Sequence, residues 1–419
     1  MRARRIRSVA IVDPVGDSGI GGYTHELAEG LVDAGVRVDL YTRRRPFALW
    51  LPRRYRLFPV LARPIEARAA EVAEIERTVV GPQWRDPSRP ALPAWWNEAS
   101  EEARDELLAD EMAGRLAGGG YDAVWTQWPR ALGSPADLRG RLRERGVPLI
   151  HTVHNVLPHE RGPGDHEVHG AAYEASDALV VHSAQAARAL AAEFPGAAPR
   201  VVESRHGTYT VYFRDPSLRG PARARLGLGD GPCVLFFGGV RPYKNVDALL
   251  AAMADPRCRG WTLVVAGWEW GFHDMVPGDP LGRTRRAVQR LGLEARVRLL
   301  PGTTDLEPAT ELFEACDAVA LPYAASSGSG VLCMGMTFGR QVIATPVGGM
   351  AEYLDAYPRS TLLAGAEAAD IADGLVRAAG ALRERPQPCA APPELGWGAI
   401  ARRLVPALET MLGAALLVT

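Results

Sequence analysis

The chain has 419 residues, 47% hydrophobic and 23% charged, and its 48 basic and 49 acidic side chains nearly cancel. At roughly 150 residues per domain this predicts two to three domains with separate cores, and the near-zero net charge argues against a nucleic-acid binder, which carries a strongly basic face. No apolar run approaches the roughly 20 residues that cross a bilayer, the basic start has no signal-type apolar region, and cysteines 233, 258, 316, 333 and 389 form no C-x-x-C pair, so a cytoplasmic protein in a reducing compartment is expected.

In chain order, residues 8–12 are a short apolar run ending at Asp13, and a glycine-rich loop is expected over 16–22. A helical pattern with Leu27 and Leu31 on one face stops near Gly35, and residues 36–41 alternate as a second strand. This is a βαβ opening of the kind that builds a buried parallel sheet. Residues 43–59 stand apart, because six arginines interleave there with Phe47, Leu49, Trp50, Leu51 and Tyr55. Such a mixture suits peripheral contact with an anionic membrane face or a phosphorylated acceptor; a loop packed on its own domain is equally compatible. Trp84, Trp95 and Trp96 follow, side chains that stack on a sugar or fill a core.

Further strands are predicted at 123–126, 149–153, 178–182 and 201–204, and a second set at 233–237, 262–266, 297–300, 318–321 and 341–344. Between the sets, residues 214–232 are rich in Pro, Gly, Arg and Asp and read as a linker. Residues 397–416 form an amphipathic helical pattern. The expected fold is α/β, with two doubly wound Rossmann-like domains. Their expected bounds are 1–213 and 233–395, joined by the linker 214–232 and followed by a terminal helix in 396–419.

Three loops carry chemistry. The first, Gly16 to Gly22, lets backbone approach a ligand and leads into a helix whose amides suit an anion. A dinucleotide reading fails there, because Thr24 stands where G-x-G-x-x-G needs its last glycine and Asp39 lies mid-strand. The second holds Gly238, Gly239, Arg241 and Lys244. Of the 48 basic residues 47 are arginine, and Lys244 is the single lysine. Arginine does not replace a compact ammonium beside phosphate oxygens. Arg241 and Lys244 follow a strong apolar strand, so both suit a diphosphate at a strand's carboxyl end. The third runs from Ser326 through Ser329, Gly330 and Val331 into a helix, with Gly348, Gly349 and Glu352 after the next strand. Loops of this kind at strand ends in two domains are expected to face one cleft.

Taken together, Gly21-Gly22, the run from His151 through His154 to Glu160, the run from Phe237 to Lys244 and the run from Pro346 to Glu352 resemble the GT-B glycosyltransferases, specifically family four or group one. The resemblance spans nearly the whole chain. It implies a C-terminal domain that binds a nucleoside-diphosphate sugar (UDP- or GDP-linked), an N-terminal domain that binds a hydroxyl acceptor, lipid-linked or anionic ones included, and a terminal helix that returns to the first domain. It also implies that Arg241 and Lys244 grip the diphosphate, that His154 faces the donor sugar, and that Gly21 and Gly22 approach the phosphates. Gly239, Ser326, Ser329, Gly330, Val331 and Glu352 complete the expected donor set. Tyr23, His25, Trp95 and Trp96 are the expected acceptor set.

The family usually carries two glutamates before this last strand; the corresponding positions are Ser326 and Met334. The chain therefore resembles a subset without the pair, in which backbone amides and small hydroxyls serve the diphosphate. The alternative reading is a catalytically silent nucleotide-sugar-binding protein. Metal-independent transfer without a resident cofactor is expected. The acceptor proton goes to the leaving phosphate oxygen in a same-face route, or to a base in an inverting one, for which Asp17 and His154 are the candidates, with Glu160 behind them. His25 and His206 read as positioning groups.

Overall fold

Short apolar runs become strands buried on both faces, and two parallel sheets result. The computed structural model describes residues 5–16, 18–42, 51–58, 111–129, 134–212, 214–267, 280–302, 306–385 and 388–415. The first sheet contains β1 (Ser8–Asp13), β2 (Arg37–Thr42), β3 (Arg56–Phe58), β4 (Ala123–Thr126), β5 (Leu149–Thr152), β6 (Ala178–Val181) and β7 (Val201–Glu203). Its order is β3-β2-β1-β4-β5-β6-β7. The second contains β8 (Cys233–Phe237), β9 (Thr262–Ala266), β10 (Val297–Leu300), β11 (Ala318–Leu321), β12 (Gln341–Ala344) and β13 (Ser360–Leu362), in the order β10-β9-β8-β11-β12-β13. All pairings are parallel. In each sheet the winding reverses beside the first strand, between β1 and β4 and between β8 and β11. Ligands of open α/β sheets bind outside the strand ends at such reversals.

The molecule divides into two compact units, Met1–Arg205 with Gly396–Thr419, and His206–Leu395. In the first unit, the helix Trp397–Ala415 packs on the helix Ser18–Asp33, and Trp397, Ile400, Leu404 and Leu408 join Leu27 and Leu31 in one core. Gly30 makes the close approach possible, since a Cβ there would lie 2.7 Å from the Trp397 carbonyl oxygen. Among the described residues no helix is long and apolar enough to cross a membrane.

Three sequence expectations are corrected. Two strands went unrecognised, β3 and β13, each three residues long at a sheet edge. Residues 214–232 are not a free linker. They hold the turn Pro216–Leu218 and the helix Arg219–Arg225, and they belong to the second unit. The Arg219 guanidinium donates to the Glu314 and Ala315 carbonyls and pairs with Asp317 at 2.5 Å. Its charge therefore satisfies the exposed carbonyls at the end of the helix Leu306–Ala315. Finally, residues 16–22 are mostly helix, because the helix starts at Ser18 and carries Gly19, Gly21 and Gly22 in its first turns.

Of the basic-aromatic stretch, residues 51–58 are described, and their arginines engage their own unit. Arg54 pairs with Glu29 and Asp33, each at 2.6 Å. Arg56 forms an ion pair with buried Asp39, and Arg53 donates to the Tyr55 hydroxyl at 3.1 Å. Residues 43–50, Asp17, Trp84, Trp95 and Trp96 lie outside the described residues.

Candidate functional site

In the first unit the carboxyl ends of β1, β4 and β5 gather the predicted residues. Asp13, the last residue of β1, accepts from the backbone amides of Val15 (3.1 Å) and Gly16 (2.9 Å). Gly16 has φ +58°, a left-handed conformation that glycine adopts without strain. This turn launches the helix, in which Gly21 and Gly22 are buried.

His154 lies just beyond β5, half-buried. Tyr23 meets its ring edge-on at 4.8 Å between centroids, and His182 lies 5.7 Å away. On its polar edge, Nε2 is 3.1 Å from the side-chain oxygen of Gln127. Gln127 is the residue directly after β4, and sequence reasoning missed it. The signal available was its place, one residue past an apolar strand.

Tyr23 and His25, expected at the acceptor, are both buried. Tyr23 is 2% exposed, its ring packs on His154, His182 and Trp397, and its hydroxyl meets Thr152. His25 is 5% exposed with Nδ1 2.8 Å from the Tyr55 hydroxyl. Helical periodicity explains Tyr23, which lies on the stripe of Leu27 and Leu31, whereas His25 is on the opposite face and meets Tyr55 of the 51–58 segment. Glu160 is half-buried in the loop after β5.

Burial holds His25 down at about 4, helped by the nearby Arg53 charge, and burial holds His151 at about 3. Both are neutral in the fold, while an unfolded histidine takes a proton near pH 6.5. Between that value and the folded one the unfolded state binds more protons, so stability falls as pH falls. Each contributes a slope of about 1.4 kcal/mol per pH unit. The urea midpoint is expected to drop between pH 7 and pH 5, and His25→Gln is expected to flatten that dependence. An equal slope in the variant would show that His25 is not responsible.

In the second unit three loops converge at the reversal between β8 and β11. After β8, Gly238 has φ +98°, and a Cβ built on it would lie 2.7 Å from the Lys244 Nζ. The ammonium of Lys244 therefore rests over the bare backbone of Gly238. It also lies 5.8 Å from the centre of the Tyr323 ring, which follows β11. Arg241 precedes the 3-10 turn Pro242–Lys244, and Lys244 ends it. Asn245 takes the left-handed conformation (φ 59°), and its side-chain amide donates to the carbonyls of Pro322 (3.2 Å) and Ala366 (2.7 Å). The amide of Ala324 donates to the Tyr243 carbonyl at 2.7 Å. The lysine turn is thereby tied to the loop that leads to Ser326.

Ser329 caps the helix Gly330–Thr337, its hydroxyl accepting from the Leu332 amide at 3.3 Å. Tyr209 closes over Gly330, where a Cβ would sit 2.7 Å from its hydroxyl. The His206 Nε2 lies 3.4 Å from that hydroxyl, and the His206 amide donates to the Tyr353 hydroxyl at 2.6 Å. Gly348 (φ +57°) packs directly on the Ser326 carbonyl, which leaves no room for a side chain. Glu352 is half-buried on the short helix Met350–Leu354. The structure thus brings Gly238, Lys244, Ser326 and Gly348 into adjoining loops, with Tyr323 between them. The glutamate-pair position Met334 is 5% exposed in the helix core, and the Ser326 hydroxyl turns onto the Gly328 carbonyl at 2.7 Å. Among the described residues no three His, Cys, Asp or Glu side chains form a group that could hold a metal ion.

Two doubly wound units with glycine- and serine-rich loops at their strand ends define the GT-B architecture. Solved structures share it. A sucrose-phosphate synthase from Thermosynechococcus elongatus aligns with a TM-score of 0.63 at 20% identity, over 98% of this chain and 97% of that one. Anabaena HepE in complex with UDP and glucose aligns with a TM-score of 0.62 at 17% identity, over 99% and 98%. In sequence, residues 18–204 match the family described as "Glycosyl transferase 4-like domain" and residues 231–380 match "Glycosyl transferases group 1". A D-inositol 3-phosphate glycosyltransferase of Catenulispora acidiphila is 30% identical over 380 residues, 85% of this chain and 82% of the relative. The corresponding Mycobacterium bovis enzyme is 32% identical over 244 residues, 55% of this chain and 48% of that one. The chain belongs to the group 1 glycosyltransferases.

Proposed function

We propose that this enzyme transfers a glycosyl group from a nucleoside-diphosphate sugar to a hydroxyl acceptor, with the donor diphosphate bound by the second unit. The observation that carries this reading is the Lys244 ammonium over Gly238 at the β8–β11 reversal. It is a compact cation set against a glycine's backbone, where an α/β sheet receives its ligand. Arg241 adds a second cation, and the capped N-terminus of Gly330–Thr337 adds amides near Ser329, Gly330 and Val331. Glu352, on Met350–Leu354, and Gly239 complete the proposed donor set. The UDP and UDP-glucose complexes of the HepE fold neighbour support a UDP-sugar as the first donor to test.

In the reaction the sugar C1–oxygen bond to the diphosphate breaks and a bond from C1 to the acceptor oxygen forms. Arg241, Lys244 and the helix amides stabilise the charge on the departing diphosphate, so no resident metal or cofactor is invoked. The acceptor proton passes to the leaving phosphate oxygen, or to a base in an inverting course. His154 is the first unit's proposed contribution to the substrates. The acceptor reading follows the Catenulispora relative and takes a phosphorylated polyol as the first compound to assay.

A thermal-shift screen of UDP-, GDP- and ADP-sugars tests the donor half. A ligand at 100 times its Kd stabilises the native state by about 2.7 kcal/mol. Transfer from the stabilising donor to inositol phosphate tests the acceptor half. No shift with any nucleotide sugar overturns the donor assignment. A shift without transfer to that polyol overturns only the acceptor.

A further inference from the structure

Tyr323, just past the end of β11, touches both halves of the proposed diphosphate site. Its side chain is buried, with 3% exposure. The Lys244 ammonium stands over its ring, 5.8 Å from the centroid. Its hydroxyl, at the far end of the ring, meets the Ser329 side chain. Ser329 in turn caps the helix Gly330–Thr337, accepting from the Leu332 amide at 3.3 Å. A phenylalanine would fill the same space with no polar group to satisfy, so packing alone does not call for the hydroxyl.

The residue is itself held at ring and backbone. Tyr243 packs edge-on against the ring, 5.9 Å between centroids. The Tyr323 carbonyl accepts from the Thr345 hydroxyl at 2.7 Å, and the next amide, of Ala324, donates to the Tyr243 carbonyl at 2.7 Å. With two side-chain torsions, a tyrosine so fixed is a stiff spacer, and its ring face attracts a cation within about 6 Å. A diphosphate gripped by a cation and by helix amides needs both at a set spacing, because charge-assisted hydrogen bonds are short and directional. We propose that Tyr323 is a positioning residue for the donor diphosphate, carrying the Lys244 ammonium on its ring and anchoring the Ser329 cap through its hydroxyl. This rests on the reading of the second unit as the donor site. It adds that the cation and the helix amides form one receptor joined through one side chain.

Lys244 is the single lysine of the chain, so NMR of the full chain carrying lysine labelled at the ε-carbon gives one signal that needs no assignment. In the wild type the ε-methylene protons are expected upfield of those of free lysine, shifted by the Tyr323 ring, and are expected to move on titration with one of UDP, GDP or ADP. Tyr323→Phe is expected to keep the ring shift and to weaken that nucleotide roughly tenfold. Tyr323→Leu is expected to abolish the shift and to weaken it about 30-fold. Tyr323→Phe combined with Ser329→Ala is expected to bind no worse than Ser329→Ala alone, because the hydroxyl acts through that serine. An unshifted wild-type signal, which needs no variant to fold, or a shift that survives Tyr323→Leu, overturns the ring's role. Additive losses in the double variant overturn the hydroxyl's role. A ring-shifted signal that none of the three nucleotides moves overturns the donor reading instead, and with it the role at the diphosphate.

Discussion

Lys244→Ala is expected to lower glycosyl transfer by about 10²- to 10³-fold, the usual cost of removing one preorganised group from a developing negative charge. The ammonium lies against the Gly238 position and near the Tyr323 ring. Under the proposed donor assignment, a cation so placed stabilises the departing diphosphate more than the ground-state donor. The larger effect should therefore fall on kcat, and donor KM should change less. Lys244→Arg is the sharper variant. The Nζ already sits 2.7 Å from where a glycine Cβ would be, so a wider planar fork has to move away from that surface. Arginine is expected to retain the charge and still lose roughly tenfold in kcat, a penalty of about 1.4 kcal/mol. Urea midpoints of both variants should match the wild type, because Lys244 is half-buried on a surface turn. Steady-state kinetics across the three proteins decides the matter, and equal kcat values would remove Lys244 from the site.

The largest expected loss of stability lies elsewhere in the second unit. Arg340 and Glu314 form an ion pair with side chains only 6% and 2% exposed. Burial pulls the Arg340 guanidinium below its usual range, and the Glu314 charge opposes that pull. The other carboxylate oxygen of Glu314 accepts from the Asp215 amide at 3.0 Å. Arg340→Met removes the cation and strands the carboxylate in the core, at an expected cost of about 3–5 kcal/mol. Replacing both partners, Glu314→Leu with Arg340→Met, removes the stranded charge and should recover a large part of that loss. Recovery stays incomplete because the Asp215 amide then lacks its acceptor. Urea denaturation of the single and double variants measures this. A double variant no more stable than Arg340→Met would show that charge burial is not the cause.

The same pair shows why the 214–232 segment was misread. Its arginines, glycines and Asp215 have linker composition. What orders them is Glu314, 99 positions from Asp215 along the chain, together with the Arg219 contacts to the end of the helix Leu306–Ala315. Composition describes local preference and cannot reveal a partner at that distance. The strands were legible for the opposite reason. The predicted runs 123–126, 233–237 and 262–266 coincide with β4, β8 and β9, because strands buried on both faces are continuous apolar runs.

Lys244 was legible as an exception, one lysine among 47 arginines. The loop chemistry around it was legible as glycine and serine at strand ends. The burial of Tyr23 follows the helix period of Leu27 and Leu31, whereas that of His25 depends on Tyr55, 30 positions away, and was not legible in the helix alone. Gln127 lies in no glycine loop, and Tyr323, though within the loop that leads to Ser326, was not singled out, since each acquires meaning only from its neighbour.

By itself, then, the sequence determined the two parallel sheets, the glycine- and serine-rich loops after β8 and β11 and the family, all of which rest on local apolar pattern and short motifs. Only the tertiary structure decided which polar groups meet: the His154 ring with Gln127, the Lys244 ammonium with Gly238 and Tyr323, and Glu314 with both Arg340 and Asp215. The physical reason is that hydrogen bonds and ion pairs act over about 3–4 Å in space, irrespective of separation along the chain. Strand and helix patterns repeat within a few residues and can be read from the sequence directly.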